Sequence, residues 1–481
     1  MAEKHKNDKV TPKVLKGFRD YQPEEEIARA DLIEKARTVV ERFGFLPIQT
    51  PSLEFAETLL GGDYTSDNLK ELFGFEGPEQ VAMALRYEFT VSLARYVAAR
   101  PQLTLPFRRY QYGNVWRVDK PGPGRFREFT QFDFDIVGTA SMLADAEIIS
   151  VMTGILEQLG IERYLVRFSN RKLLNGLTAY AGIPPEQAPD VFRVIDKLEK
   201  QGREAVVLEL GPGRIDISGD KIPGLHLTDD QVKQITDFLD IAEKPGDDIL
   251  ERAQELLGNI ETSRRGIDEL RQVNGYLADL GISGEKTQID ITIVRGLGYY
   301  TGPVYETTLT DLPEYGSVIS GGRYDNMIHR FSNRQVPAVG SSFGVDRMLA
   351  ALVALNTREL KSATADVIVT TMDKDRLTDY LAMVREIRNA GINAELYLGE
   401  TKNINKQLKY ADKIGIPVAV IAGSDEFANG MVTVKDLRAG SAKSEEVADR
   451  KEWLKADEIQ VTIKRKELIS QIKKLLTLHA S

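Results

Sequence analysis

Apolar residues recur at Leu32, Ala36, Val39, Val40 and Phe43, the spacing of one buried helical face, and Gly44 stands where such a helix ends. The pattern predicts a helix over Glu25–Phe43, then an extended segment, FLPIQTPSLE, punctuated by Pro47 and Pro51. Leu85–Ala99 reads as helical after its first residues. Phe107–Val137 reads as strand, Gly/Pro-rich loop and strand, the pattern of a hairpin. A helix over Ser141–Leu159, closed by Gly160, leads to a strand at Tyr164–Phe168. From about Asn170 to Gly284 the texture changes. Charged helical stretches such as Val191–Gln201 and Asp247–Leu257 alternate with breaks at GIPPEQ, GPGR and KIPG, predicting an inserted, mostly helical module. Strand character returns at Thr287–Val294, Val304–Thr308 and Ser317–Ser320, and a helix follows over Val345–Leu355. Beyond a boundary at Asn356–Ala365, strands at Val367–Met372, Ala394–Gly399, Pro417–Gly423 and Val432–Leu437 alternate with helices at Leu377–Ala390 and Asn403–Ile414. That alternation predicts a compact α/β domain with a largely parallel sheet.

Composition narrows the chemistry. The 481 residues carry a net charge of -9, which argues against indiscriminate nucleic-acid binding but leaves room for a local basic surface such as KRKELISQIKK, Lys464–Lys474. There is no cysteine, so disulfides, thiolate zinc sites and a cysteine nucleophile are excluded. The four histidines, His5, His226, His329 and His479, are not at ligand spacing, and no metal site on the protein is expected. No apolar run is long enough to span a bilayer, and the first ten residues lack an apolar signal core, so a cytoplasmic protein is expected.

Chemistry must therefore rest on carboxylates, arginines and tyrosines. Two arginine-glycine segments stand out. Gly113–Gly138 places Arg117, Arg125 and Arg127 around the hairpin loop, and Val294–Glu306, VRGLGYYTGPVYE, puts Arg295 beside glycines and paired tyrosines. Planar guanidinium forks converging on one cleft suit phosphates or carboxylates, whereas a single arginine is more often a surface ion-pair partner. No Gly-Lys-Ser/Thr phosphate loop is present, so arginines are the remaining way to hold a triphosphate. Phe129 could stack a purine with Arg347 over its opposite face, or could be a core aromatic. Gln131, Asp133 and Asp135 share one face of a strand, where buried acids need a partner that a cationic substrate or a structural salt bridge would supply. Gly321 and Gly322 in SGGRYDNMI allow close approach to the backbone, or mark a bulge.

Over nearly its whole length the chain resembles the histidyl-tRNA synthetase family of class II aminoacyl-tRNA synthetases. FGFLPIQTPSLE, VWRVDKPGPGRFREFTQFDFD and VGSSFGVDRMLAAL look like the three class signatures in order, and VRGLGYYTGPVYE and SGGRYDNMI like the family's own two motifs. KQLKYADKIGIPVAVIAGSDEFANGMVTVKDLRAG resembles its anticodon-binding domain. The resemblance implies an α+β fold: a class II antiparallel sheet flanked by helices, a helical insertion and a C-terminal α/β anticodon-binding domain. The corresponding divisions are 1–169 and 286–358 for the catalytic domain, 170–285 for the insertion and 363–481 for the anticodon-binding domain with its tail. It implies a homodimer with Pro51 at its interface, and ATP-dependent attachment of histidine to tRNA(His) through histidyl-adenylate. By the same resemblance Arg295 and Arg117 are catalytic, Arg117, Asp119, Phe129 and Arg347 hold ATP, which enters with Mg²⁺ bridging its outer phosphates, and the loop residues Arg125 and Arg127 touch either ATP or the acceptor end of tRNA. Glu88, Thr90 and Gln131 take the α-amino group, Asp135 and Tyr300 bind the imidazole edges, and Tyr299 belongs to the same histidine-binding site.

Two residues depart from the family pattern: Gly298 where RGLDYY has Asp, and Asp119 where the family has Glu. Ser441–Ser481 resembles nothing assignable and is expected to hold a terminal helix on the anticodon domain. One rival, the regulatory subunit of ATP phosphoribosyltransferase, lacks the domain expected at 365–440. Another, a stress-sensing synthetase-like module, sits in a larger chain with degraded active-site residues, whereas Arg117, Gln131, Arg295 and Arg347 are all present here.

Overall fold

The computed structural model describes residues 10–61, 72–78, 80–122, 124–216, 219–242, 248–282, 284–294, 298–355, 360–438 and 460–478. The chain divides into two compact units, residues 1–20 with 31–358, and residues 21–30 with 359–481.

An eight-stranded sheet organises the first unit. Its strands are β1 (Leu46–Pro47), β2 (Phe107–Trp116), β3 (Glu128–Val137), β4 (Tyr164–Asn170), β5 (Thr287–Ile289), β6 (Pro303–Leu309), β7 (Ser317–Arg323) and β8 (Ala338–Gly344). Their order across the sheet is β1-β2-β3-β8-β7-β6-β4-β5. The six inner strands are antiparallel, and β1 and β5 close the two edges in parallel pairings. Helix α1 (Pro23–Arg42) begins and ends close to the residues its periodicity predicts, and Leu32, Ala36, Val39 and Val40 are buried. Helices α2 (Thr90–Ala98), α3 (Leu143–Gln158) and α4 (Val345–Ala354) flank the sheet. Phe132, Phe134 and Ile136 of β3 are core residues, while Gln131, Asp133 and Asp135 on the alternate face are also buried. A strand that buries a polar face as well as an apolar one must satisfy that face locally, which is why β3 carries the site.

The sequence placed a strand over Thr287–Val294, but β5 ends at Ile289. Asp290 stops it: its carboxylate accepts from the backbone N–H of Thr292 at 3.0 Å and from the Thr292 hydroxyl at 2.6 Å, turning the chain. The inserted segment is mostly helical, as its texture predicts, from Arg171–Tyr180 to Glu261–Asp279, with a small ribbon formed by Gly213–Ile215 and Lys221–Pro223. The stretch Val191–Gln201 falls on two helices, Ala188–Ile195 and Leu198–Gln201.

The second unit holds β9 (Val367–Val369), α5 (Leu377–Asn389), β10 (Ala394–Leu396), α6 (Ile404–Lys413), β11 (Val418–Ile421), α7 (Ser424–Asn429), β12 (Met431–Asp436), β13 (Gln460–Lys464) and α8 (Leu468–Leu478). Its sheet order is β10-β9-β11-β12-β13. The expectation of a largely parallel sheet needs correcting. Strands β10, β9 and β11 are parallel, but β12 and β13 are antiparallel. A short α7 ending at Gly430, whose φ is 63°, returns the chain beside β11 without the long crossover a parallel neighbour requires. The terminal helix expected in the tail is α8, which buries Leu468 and Ile472 against Tyr380, Val432 and Val434. Within the basic stretch, Arg465 pairs with Glu386 at 2.6 Å. Among the described residues no helix is long and apolar enough to cross a membrane.

Candidate active site

A cavity of about 440 Å³ opens over the polar face of β3. Its floor is the middle of the sheet. Gln131, Asp133 and Asp135 face it, paired in register with Gly344, Ser342 and Gly340 of β8. Phe129 begins the same row, so Phe129 to Asp135 spans about 20 Å of strand. The two ends differ in charge. Arg117, Arg125 and Arg347 border the cavity with Asp119 and Phe129, while Glu88 and Thr90 border it with Tyr299, Tyr300 and Tyr324.

At the arginine end, the hairpin loop is tied by backbone bonds, Arg117 N–H to Arg127 C=O at 2.8 Å and Gly122 to Arg125 in both directions. Arg117 donates from Nε to the Tyr87 carbonyl at 3.1 Å, and its guanidinium stands 5.2 Å from the centroid of Phe129. Arg347 donates to the Ser317 carbonyl at 2.6 Å. Its neighbour Asp346, in the first turn of α4, accepts from the Thr130 backbone N–H at 2.6 Å and from Arg19 at 3.1 Å. One buried carboxylate thus joins the start of α4 to β3.

At the acidic end, Glu88 accepts from the backbone N–H groups of Thr90 at 2.9 Å and Val91 at 2.7 Å, where the start of α2 leaves donors unpaired and favours negative charge. Tyr299 and Tyr300 meet edge to face at 4.9 Å, and Tyr299 packs on Tyr324 at 6.1 Å. Burial drives the hydroxyl pKa of all three tyrosines upward, so each remains a neutral donor. Gln131 donates from Nε2 to the Ser342 hydroxyl, while its Oε1 is buried with no hydrogen-bond partner. That orphan is an acceptor turned toward a cavity, suited to an ammonium group. Burial pushes the Asp133 carboxyl up to about 7, against the opposing pull of Arg109. Asp135 is also pushed up by burial; it pairs with the fully buried Arg109 at 2.6 Å and accepts from the Tyr324 hydroxyl.

All the proposed site residues that the structure describes therefore border one cavity: Glu88, Thr90, Arg117, Asp119, Arg125, Phe129, Gln131, Asp135, Tyr299, Tyr300 and Arg347. Arg295 lies outside the described residues. Arg323 of SGGRYDNMI turns away from the cavity, and its guanidinium is buried against Asp145 of α3 and the carbonyls of Thr139 and Ser141. The two glycines before it answer to neighbouring protein. A Cβ on Gly321 would overlap the Gly340 carbonyl, and one on Gly322 would lie 2.9 Å from the Tyr300 ring. Sequence reasoning missed Tyr324 and Arg109. Tyr324 follows the glycine pair in a quoted motif, and Arg109 faces Asp135 across the hairpin, a pairing that the register alone would have exposed. Among the described residues, no group of three His, Cys, Asp or Glu side chains is arranged to hold a metal ion.

Comparison with known proteins identifies the family. The family model described as histidyl-tRNA synthetase matches residues 17–348, and the anticodon binding domain model matches 365–475. The chain is 42% identical to the histidine–tRNA ligase of Ruegeria pomeroyi, covering 100% of both chains. It is also 42% identical to that of Paracoccus denitrificans, over 96% of this chain and 97% of the other. The crystal structure of histidyl-tRNA synthetase from a Nostoc species superposes with a TM-score of 0.80 at 32% identity, over 97% of this chain and all of that one. A family match over most of the chain, full-length relatives, and a cavity that gathers the separate motifs lead to one assignment: the chain belongs to the histidyl-tRNA synthetase family.

Proposed function

We propose that this protein activates histidine with ATP and transfers the histidyl group to tRNA(His). The observation that carries the reading is the single cavity that brings the buried acids Glu88, Asp133 and Asp135 together with Arg117, Arg125 and Arg347. The acidic end accommodates an amino acid. Gln131 Oε1, Glu88 and Asp133 offer acceptors to its ammonium group, with Thr90 beside them, and Asp135 and the Tyr300 hydroxyl bracket an imidazole. Such a pocket leaves its own buried polar groups unpaired with any other side chain, which gives about 10⁴-fold discrimination or more without editing. The arginine end takes ATP, entering as its Mg²⁺ complex, with Phe129, Arg347 and Asp119 around the adenine. The amino-acid carboxylate attacks the α-phosphorus, the bond to the bridging oxygen of pyrophosphate breaks, and histidyl-adenylate forms. Arg117 and Arg295 meet the negative charge that builds on the α-phosphate, and Arg125 contributes at the loop. A ribose hydroxyl at the tRNA 3′ end then takes the histidyl group and AMP leaves.

In this reading residues 1–169 and 286–358 form the catalytic domain, 170–285 an insertion, and 363–481 the domain that reads splayed anticodon bases. A homodimer, working in the cytoplasm, is part of it. Leu46, Leu53, Phe55 and Tyr112 are exposed near the β1 edge of the sheet, around the proline-punctuated segment, and support burial against a second copy. The test is ATP–pyrophosphate exchange with each amino acid in turn. Exchange with histidine alone is expected; exchange with none would leave a non-catalytic paralogue as the reading.

A further inference from the structure

We propose that Arg109, which does not border the cavity, is the positioning residue that holds Asp135 as an anionic acceptor for the substrate's ring N–H. The inference rests on the reading of Asp135 as the imidazole-binding acid. Arg109 and Asp135 are directly opposed on β2 and β3, their side chains 0% and 5% exposed, with Nη2 2.6 Å from Oδ2. None of the Arg109 nitrogens makes an aligned hydrogen bond to a described residue. The contact is thus an ion pair by distance, and its effect on Asp135 is Coulombic. Burying an arginine with unsatisfied N–H groups is costly, and nothing in strand pairing requires a cation there.

The charges around Asp135 explain the need. Glu88, at the start of α2, and Asp133, on the same strand, are buried acids in the same cavity. From β7's end Tyr324 donates one hydrogen bond, and Tyr300 closes the site as a neutral hydroxyl. Arg86 spends its N–H groups on the carbonyls of Thr50, Pro51 and Asn114. Burial drives Asp135 toward its protonated form, and the guanidinium of Arg109 opposes this. Without that cation Asp135 would take a proton and present an O–H where the ring needs an acceptor. Arginine serves where lysine would not, because it cannot itself lose the proton under these conditions.

The test compares Arg109→Met, Asp135→Asn and the double variant by histidine KM and kcat in pyrophosphate exchange between about pH 6 and 9, with ATP KM and thermal melting as controls. R109M is expected to raise histidine KM by about 10-fold or more near neutrality while kcat stays within a few-fold. The ratio of variant to wild-type KM should shrink as pH rises and Asp135 ionises. In the double variant, adding R109M to D135N should change KM little, because no carboxylate is left to hold. A pH-independent KM ratio, or a fall in kcat with KM unchanged, overturns the proposal. If D135N itself leaves histidine KM unchanged, the underlying reading of Asp135 fails instead. Should R109M not fold, infrared spectroscopy of the wild-type protein decides. At pH near 7 no protonated-carboxyl band that D135N removes is expected, and finding one refutes the idea.

Discussion

Replacing Gly340 with alanine should cripple histidine recognition while leaving the nucleotide end intact. Gly340 lies opposite Asp135 in the β3–β8 ladder, and a Cβ there would overlap the Asp135 carboxylate and come 2.9 Å from the Phe134 carbonyl. The strand backbone cannot yield without breaking its ladder, so the Asp135 side chain must swing by about 1 Å. A binding constellation tolerates roughly 0.5 Å. The swing detaches Asp135 from Tyr324 and loosens its pair with Arg109. A hydrogen bond from a substrate N–H to a carboxylate contributes about 1.5–3 kcal/mol, so histidine KM should rise between about 10- and 150-fold. Overpacking costs a further ~1–3 kcal/mol of folding stability, a loss that thermal melting would register. The assay is histidine-dependent pyrophosphate exchange with ATP and histidine varied separately. ATP KM should change less than about 2-fold. A G340A enzyme with histidine KM within about 2-fold of wild type would refute the placement of the imidazole against Asp135.

Other outcomes follow from the same geometry. Asp145→Asn leaves the buried Arg323 with only the partly exposed Asp325 as an anion and should cost about 3 kcal/mol in denaturant unfolding, although neither Asp145 nor Arg323 borders the cavity. Gly298→Asp restores the acid usual in the family; a Cβ there meets no described atom, and its φ lies outside the left-handed region, so the melting temperature should shift by no more than about 0.5 kcal/mol implies. Asp133, pushed up to about 7 by burial, is protonated in part near neutrality. Histidine KM should therefore rise as pH falls below about 7, and D133N should flatten that profile. For folding the sign is opposite: the raised carboxyl contributes stability at low pH that is lost as pH rises through about 7, and melting curves of wild type against D133N should diverge in that direction.

Much of the fold was legible because long apolar periodicities survive folding intact. Helix α1, the β2–β3 hairpin and α4 lie where their patterns put them. Strand β8 was missed since AVGSSFG carries small residues and no β-branched run, and its smallness is what lets Asp135 fit beside it. Strand β13 was hidden in a tail that resembles nothing assignable and owes its place to pairing with β12. The residues around the cavity were readable through motif resemblance, but Arg109 was not. A basic residue in a strand looks solvent-facing until the register sets it against an acid. Arg323, beside the glycine pair read as admitting a ligand or marking a bulge, was given no role, and strand alternation sends its guanidinium into α3.

The Asp346 carboxylate has a mechanical meaning. Its acceptor bond to Thr130 fixes the gap between two chain segments whose next residues, Phe129 and Arg347, are proposed to sandwich the purine. The slot is therefore gauged at its hinge by this 2.6 Å bond together with the pairing of Gln131 and Gly344 beside it, like the jaw setting of a caliper. An enzyme gauged this way would accept flat rings of one thickness without closing a lid over them, and loosening the hinge by Asp346→Asn would blur which nucleobase it tolerates before it slowed the chemistry.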